Sequence, residues 1–330
     1  MLEWADDLKI RGTELYLDSR RPRPLCFVSH AHSDHLGLHG RAIATSATAA
    51  LANHRIGLSG ATELPYHLEH TLPDDTRVRL LPAGHVYGSA MIHITRPEGT
   101  LLYTGDFKMR DCLTVPCAEP AEADYLVMES TYGQPFFRFP SWRSVADQLV
   151  ELVDGALRDG RQPIVMGYAL GKAQEATRIL TDAGLPVTAH GAVYAMNQIY
   201  ELGVSLGACR RYASEDFHGP RTLDLLQRGA LIAPPNVARS AFVTKFKNPM
   251  RIMLSGWSLL KGAIYRYGVD HALPLSDHAD FDELMELIER VRPKKIFTHH
   301  GYREFAEILK RKGLDATVAR PDDQLLLFGD

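Results

Sequence analysis

The chain has 330 residues, 45% of them hydrophobic and 23% charged, the balance of a soluble globular protein with length for two modest domains or one domain with a large insertion. No apolar run reaches the ~18 residues of a transmembrane span. The acidic start Met1-Leu2-Glu3-Trp4-Ala5-Asp6-Asp7 has no secretory signal core, and the scattered Cys26, Cys112, Cys117 and Cys209 suit free thiols, so a cytoplasmic protein is expected. The net charge of -3 hides a split: residues 134–270 carry 16 Lys/Arg against 11 Asp/Glu, while the remainder is acidic, a division that suits an enzyme gripping a polyanion.

The first 130 residues read as short strands separated by turns. Residues 15–17, 25–28, 78–81, 91–94, 100–103 and 125–128 are apolar or alternating and mostly β-forming, and most run into polar residues of catalytic type. Chemistry is thus expected on loops at strand ends, where a rigid sheet can aim it. From Ser144 the pattern changes. Val145, Leu149, Leu152, Val153 and Ala156 lie at helical spacing, residues 163–166 read as a strand, and residues 172–183 read as a second helix. This strand–helix alternation predicts an α/β insertion with some parallel sheet. Near the end, Asp280 with Glu283 resembles a capping box ahead of the stripe Phe281, Leu284, Leu287, Ile288 and Val291. A strand over 295–298 then leads into His299-His300-Gly301.

The strongest chemical signal is Ser29-His30-Ala31-His32-Ser33-Asp34-His35, directly after a predicted strand. Three imidazoles and a carboxylate in six residues cannot all enter an apolar core, because each would need a polar partner. In extended chain His30 and His32 point the same way and can share one cation, and a following turn lets Asp34 and His35 face a second. Imidazole nitrogen and carboxylate oxygen suit Zn²⁺, and also Mn²⁺ or Fe²⁺. His85 and Asp106 each follow a predicted strand beside a glycine, and Asp106 offers a carboxylate able to bridge two ions.

His30-Ala31-His32-Ser33-Asp34-His35 resembles the HxHxDH signature of the metallo-β-lactamase superfamily. Asp18 is similar to its first motif, and His85 and Asp106 to its third and fourth. Residues 83–90, Glu129-Ser130-Thr131-Tyr132-Gly133, residues 168–175, Ser276-Asp277-His278-Ala279-Asp280 and His299-His300-Gly301 resemble segments of the β-CASP nucleases, and the compact size resembles the bacterial DNA ligase-associated exonucleases. The fold this implies is α/β: a metallo-β-lactamase αββα sandwich from residues 1–133 and 271–330, with an inserted β-CASP-like domain over 134–270.

The resemblance further implies two divalent ions, zinc first and manganese as the alternative. His30, His32 and His85 would hold one ion, and Asp34, His35 and His300 the other, with Asp106 between them. His299 competes with His300 as a ligand, but the family places the ligand directly before glycine. Asp18 would orient a ligand histidine. Glu129 would orient His278, which would contact the scissile phosphate or protonate the leaving oxygen. The function implied is hydrolysis of nucleic acid: a DNA exonuclease in repair, associated with a DNA ligase and a helicase, or alternatively an RNA-processing nuclease.

Substrate contacts are expected in the basic middle: Lys172 at a helix start, and Arg239, Lys245, Lys247 and Arg251 interleaved with Phe242 and Phe246, followed by Ser255 and Trp257. Thioester or β-lactam hydrolases of this fold usually lack a long insertion, whereas about 190 residues separate Asp106 from His299 here. A scaffold that had lost its ligands would not retain every expected ligand type.

Overall fold

The computed structural model describes residues 1–4, 6–212, 229–240, 242–246 and 248–319, which fall into two compact units. One comprises Met1–Asp111, Val115–Arg138 and the described residues from His278 onward, and the other comprises Cys112–Thr114 and Phe139–Asp277. Among the described residues no helix is long and apolar enough to cross a membrane.

The first unit opens with a six-stranded sheet in chain order: β1 (Leu2–Trp4), β2 (Leu8–Ile10), β3 (Leu15–Leu17), β4 (Leu25–Phe27), β5 (Ala42–Ala44) and β6 (Thr62–Glu63). It is antiparallel through β3 and parallel from there. The helix Ser46–Ile56 joins the parallel neighbours β5 and β6; the Thr45 side chain caps its start and a left-handed Gly57 ends it. A second sheet follows from β7 (Glu69–Thr71), β8 (Arg77–Pro82), β9 (Ala90–Arg96), β10 (Gly99–Tyr103) and β11 (Tyr125–Ser130).

The second unit holds a third sheet: β12 (Gln162–Met166), β13 (Val187–Ala189), β14 (Cys209–Arg211), β15 (Ala230–Ala233), β16 (Pro249–Leu254) and β17 (His271–Leu273). Its order is β14-β13-β15-β12-β16-β17, and every pairing is parallel. Parallel strands are covered on both faces, and here alternate residues enter different cores. Val165, Ile232 and Ile252 pack with the helices Trp142–Arg158 and Lys172–Asp182, whereas Ile164, Leu231 and Met253 pack with Val237, Val243 and Phe246.

The chain returns to the second sheet with β18 (Lys295–Gly301) beside β11 and β19 (Ala316–Val318) at the edge. Period-two alternation sets the layers of the first unit. Ile92, Leu101 and Val127 face Leu17, Phe27 and Ile43 of the first sheet in a common core. Their neighbours Met91, Leu102 and Leu126 face the other way, against Leu284, Leu287 and Ile288 of the helix Phe281–Val291 and Phe305 of the helix Glu304–Arg311. This is the metallo-β-lactamase sandwich, with helices stacked on paired sheets. Asp280 caps Phe281–Val291 as the sequence predicts, accepting from the backbone of Asp282 and Glu283 while the Glu283 side chain reaches back to its N–H.

Candidate metal centre

The strands β4, β8, β10, β11 and β18 each run into a segment bearing polar residues of the site. After β4 the chain is tied down at Ser29, whose backbone N–H donates to Asp18 Oδ1 at 2.7 Å and whose hydroxyl donates to Asp18 Oδ2 at 2.5 Å. Beyond β8 the Ser89 hydroxyl oxygen accepts from the backbone of His85 and Val86, pinning the turn that presents His85. At the end of β18 the pairing slips: Glu129 lies opposite His299 and Ser130 opposite Gly301, so His300 is the extra residue of a β-bulge. Its φ of 45° lies in the left-handed region, and the bulge re-aims its side chain. Gly301 is required there, because a Cβ would lie 1.9 Å from the carbonyl carbon of Ser130.

Four ligating atoms then meet. His30 Nε2 lies 3.1 Å from His32 Nδ1, His85 Nε2 lies 3.0 Å from the same atom, and Asp106 Oδ2 is 3.5 Å from His30 and 3.7 Å from His85. The Ser29 hydroxyl gives its proton to Asp18 and so accepts from His30 Nδ1–H at 2.9 Å, leaving His30 Nε2 a bare lone pair. A tetrahedral ion with ligand bonds of about 2.0–2.1 Å has ligand–ligand edges of about 3.3–3.4 Å. The observed spacings bracket that value, so the donor set fits such an ion.

A second group adjoins Asp106. His35 Nδ1 donates to Asp18 Oδ2 at 2.9 Å, which points Nε2 away from Asp18. That Nε2 is buried without a hydrogen-bond partner among the described residues, 3.4 Å from Asp106 Oδ2 and 3.7 Å from Asp34 Oδ2. Asp34, His35 and His300 offer ligand atoms within 4.8 Å of one another, and the His300 ring stacks on His35 at 5.0 Å. His299, the rival to His300 in the sequence, turns inward instead: its ring is buried and stacks on Tyr103 at 5.5 Å.

Burial and charge act together on these groups. Burial, reinforced by His35 and His85, holds His30 well below the ordinary histidine range and therefore neutral. Burial opposes the charged form of His35, but Asp106, Asp34 and Asp18 outweigh it and hold the imidazole well above its usual range. In the ion-free protein a proton thus stands where a cation would go. Asp106 is held well below the carboxylate range, against its burial, chiefly by His35 and then His278.

Next to Asp106 sits a second polar pair. The fully buried Glu129 accepts from the backbone N–H of Phe107 at 2.8 Å and from the Thr131 hydroxyl. Its Oε2 lies 3.0 Å from His278 Nδ1, which is 3.9 Å from Asp106 Oδ2. A carboxylate can only accept, so the proton of this pair resides on Nδ1 of the imidazole. Sequence reading missed Ser29, Thr131 and Tyr103. Tyr103 donates its hydroxyl to Asp18 Oδ2 at 2.8 Å from the end of β10, and a buried tyrosine one turn before an expected ligand needs a polar partner, which was the available signal.

The expected substrate contacts differ more from the structure. Lys172 is buried and ion-paired with Asp277, with its ammonium over the Tyr168 ring, so the lysine is already neutralised inside the second unit and is not an open phosphate contact. Arg251 is held by Asp270 at 3.2 Å. Phe242 and Phe246 pack edge-on with each other and with Tyr212 beside the core, which leaves neither as a bare stacking platform. Ser255 accepts from the Trp257 backbone and the Tyr267 hydroxyl, Trp257 is partly buried, and Lys245 is exposed. The side chain of Arg239 and the whole of Lys247 lie outside the described residues.

Fold and donor set together match the metallo-β-lactamase type, with a cluster of His and Asp residues able to hold a metal. The family described as the Zn-dependent metallo-hydrolase RNA specificity domain matches residues 266–318. A probable DNA ligase of Opitutus terrae is 37% identical over 317 residues, covering 94% of this chain and 30% of that protein. Probable RNase MJ4 of Methanocaldococcus jannaschii is 24% identical, over 88% of this chain and 84% of its own length. The DNA cross-link repair protein SNM1 of Arabidopsis thaliana is 28% identical, over 82% of this chain and 59% of its own. The chain is thus similar to these proteins over most of its own length, and it spans 30%, 84% and 59% of theirs.

Proposed function

We propose that this chain is a metal-dependent phosphodiesterase that hydrolyses DNA from an end during repair. The observation that carries the reading is the meeting of His30, His32, His85 and Asp106 in one group and of Asp34, His35 and His300 in another, with Asp106 Oδ2 3.4 Å from His35 and 3.9 Å from His278. His30, His32, His85 and Asp106 would hold one divalent ion, zinc by donor chemistry, and Asp34, His35, His300 and Asp106 a second. Bound there, such a pair acidifies a water and neutralises phosphate charge. The protein's own residues do the rest. Asp18 fixes the ring of His35, and through Ser29 that of His30, so that a lone pair faces inward from each. Glu129 keeps a proton on His278 Nδ1, so Nε2 is the nitrogen that can hand a proton to the leaving 3′ or 5′ oxygen. Similarity to a protein named as a DNA ligase supports a functional link to strand joining.

A second reading, cleavage of RNA, is favoured by the match of residues 266–318 to a domain described by RNA specificity and by the similarity to a probable RNase. The test is purified protein with Zn²⁺ or Mn²⁺ against 5′- and 3′-labelled DNA and RNA strands. Stepwise shortening of DNA supports the first reading, and cleavage of RNA alone supports the second. An acyl-thioester turned over in place of either strand refutes both.

A further inference from the structure

Beside Asp34 and His300, on the first unit alone, lies a cavity of about 460 Å³. We infer that it is a nucleotide pocket, taking a single nucleoside monophosphate with its base against Trp4 and its phosphate on Arg20 and Arg21. This inference rests on the nucleic-acid reading above and extends it to a place for one terminal nucleotide.

The charges around the cavity lead to this ligand class. Three of its wall residues, Asp7, Asp18 and Asp34, are carboxylates, but each is already engaged. Asp7 accepts from Arg23 and from the Ser19 hydroxyl, and Asp18 accepts from Ser29, His35 and Tyr103. Asp34 faces the ligand group of the metal centre. The cations, in contrast, are available. Arg20 is exposed and makes no ion pair among the described residues. Among the described residues Arg21 pairs only with Asp6, at 3.2 Å, and both side chains are more than half exposed, so an arriving anion displaces that contact at small cost. Arginine's planar fork matches phosphate oxygens two at a time.

The rest of the lining is suited to a flat, partly apolar body. Trp4 at the end of β1 keeps 37% of its surface exposed, unusual for the largest aromatic side chain in a sheet, and Leu8 and Leu17 make an apolar floor. A nucleobase stacks on such a ring whatever its identity. His299 lines the same cavity, and its buried Nε2 has no hydrogen-bond partner among the described residues. The volume falls within the ~300–1,000 Å³ of small-molecule sites and is far too small for a duplex. The position explains the pairing with the metal centre: His300 belongs to both, so a nucleotide seated here adjoins the ligand group of Asp34, His35 and His300.

The test uses the full chain stripped of metal by a chelator, so that binding is read apart from hydrolysis. Calorimetry measures 5′-dAMP, deoxyadenosine and inorganic phosphate. dAMP should bind at least about tenfold more tightly than either fragment. Arg20→Gln should weaken dAMP about tenfold and leave deoxyadenosine unchanged, as loss of a charge-assisted contact predicts. Trp4→Ala should weaken both nucleobase ligands about fivefold or more and leave phosphate unchanged. Both side chains are exposed, and circular dichroism verifies the fold of each variant. Wild-type affinity for dAMP in both variants overturns the inference, as does phosphate binding as tightly as dAMP. The two readings separate in the wild type: DNA hydrolysis with no dAMP binding refutes the pocket alone, whereas Arg20-dependent dAMP binding with no cleavage of any strand refutes the nuclease reading alone.

Discussion

Replacing Asp18 by asparagine changes one oxygen for an NH2 group and should disable the centre without touching a ligand. Asp18 Oδ1 accepts from the Ser29 backbone, a bond that an amide oxygen retains. Oδ2 accepts from the Ser29 hydroxyl at 2.5 Å, the Tyr103 hydroxyl at 2.8 Å and His35 Nδ1 at 2.9 Å. An amide nitrogen at that position donates two protons and accepts none. The two hydroxyls can rotate to become acceptors, but the imidazole has no such freedom. His35 must move its proton from Nδ1 to Nε2, the atom that faces Asp106 and Asp34. The lone pair for a cation is then lost. Each charge-assisted bond given up costs about 1.5–3 kcal/mol, and loss of a carboxylate behind a ligand histidine costs about 10–100-fold in metal affinity.

The assay is competition with a chromogenic chelator in Asp18→Asn, Tyr103→Phe and wild type. The affinity loss should be greatest for the ion held by His35. The His30 group should suffer less, because it is reached only through Ser29. Tyr103→Phe, which removes one of three donors to Oδ2 and leaves the carboxylate charge, should show a smaller loss. Unchanged affinity for both ions in Asp18→Asn would refute the tautomer argument.

Other outcomes follow from the same geometry. Asp106→Ala should lose both ions or nearly so, because its Oδ2 lies within 3.7 Å of His30, His35 and His85; full metal content by elemental analysis would sink its shared role. His278→Ala should keep its metals yet slow phosphodiester hydrolysis about 10²–10⁴-fold, with a nitrophenyl ester hurt far less; equal loss on both substrates would exclude an acid role. Gly301→Ala drives a methyl into the backbone of Ser130, so denaturant melts should show a loss of at least about 2 kcal/mol, and an unchanged midpoint would contradict the bulge geometry. In chelated protein the raised pKa of His35 contributes stability that is complete below about pH 6.5 and lost as pH rises through its folded value. Melting temperature should therefore fall on the alkaline side without metal and fall less with it, and parallel curves would count against that assignment.

The candidate ligands were legible because they are close together and chemically odd: no apolar packing explains His30, His32, Asp34 and His35 in one short run. The longer strands and helices were legible for a similar reason, since Leu101 and Leu102, or Leu284 and Leu287, carry the period of their element in the sequence itself. The three-residue strands β1, β2 and β5 were not, because three residues hold barely more than one period of alternation and are fixed by their neighbours across the sheet. The partners of Lys172 and Arg251 were hidden for a different reason. A lysine or arginine is the same letter whether it meets solvent or a carboxylate, and Asp277 and Asp270, which satisfy Lys172 and Arg251, lie 105 and 19 residues away in the chain.

The same distinction separates the two histidines of His299-His300-Gly301. Strand alternation alone would send adjacent residues to opposite faces, which leaves open which of them joins the centre. The bulge decides it. Because Gly301 has no Cβ, its backbone can close on Ser130 and regain pairing one residue late, and the residue squeezed out of register is His300. His299 keeps its place in the ladder and is buried against Tyr103, the donor that helps to fix Asp18. One histidine thus reaches the ligand group of Asp34 and His35, while the other packs behind the carboxylate that aims His35. The glycine that follows them separates the two roles.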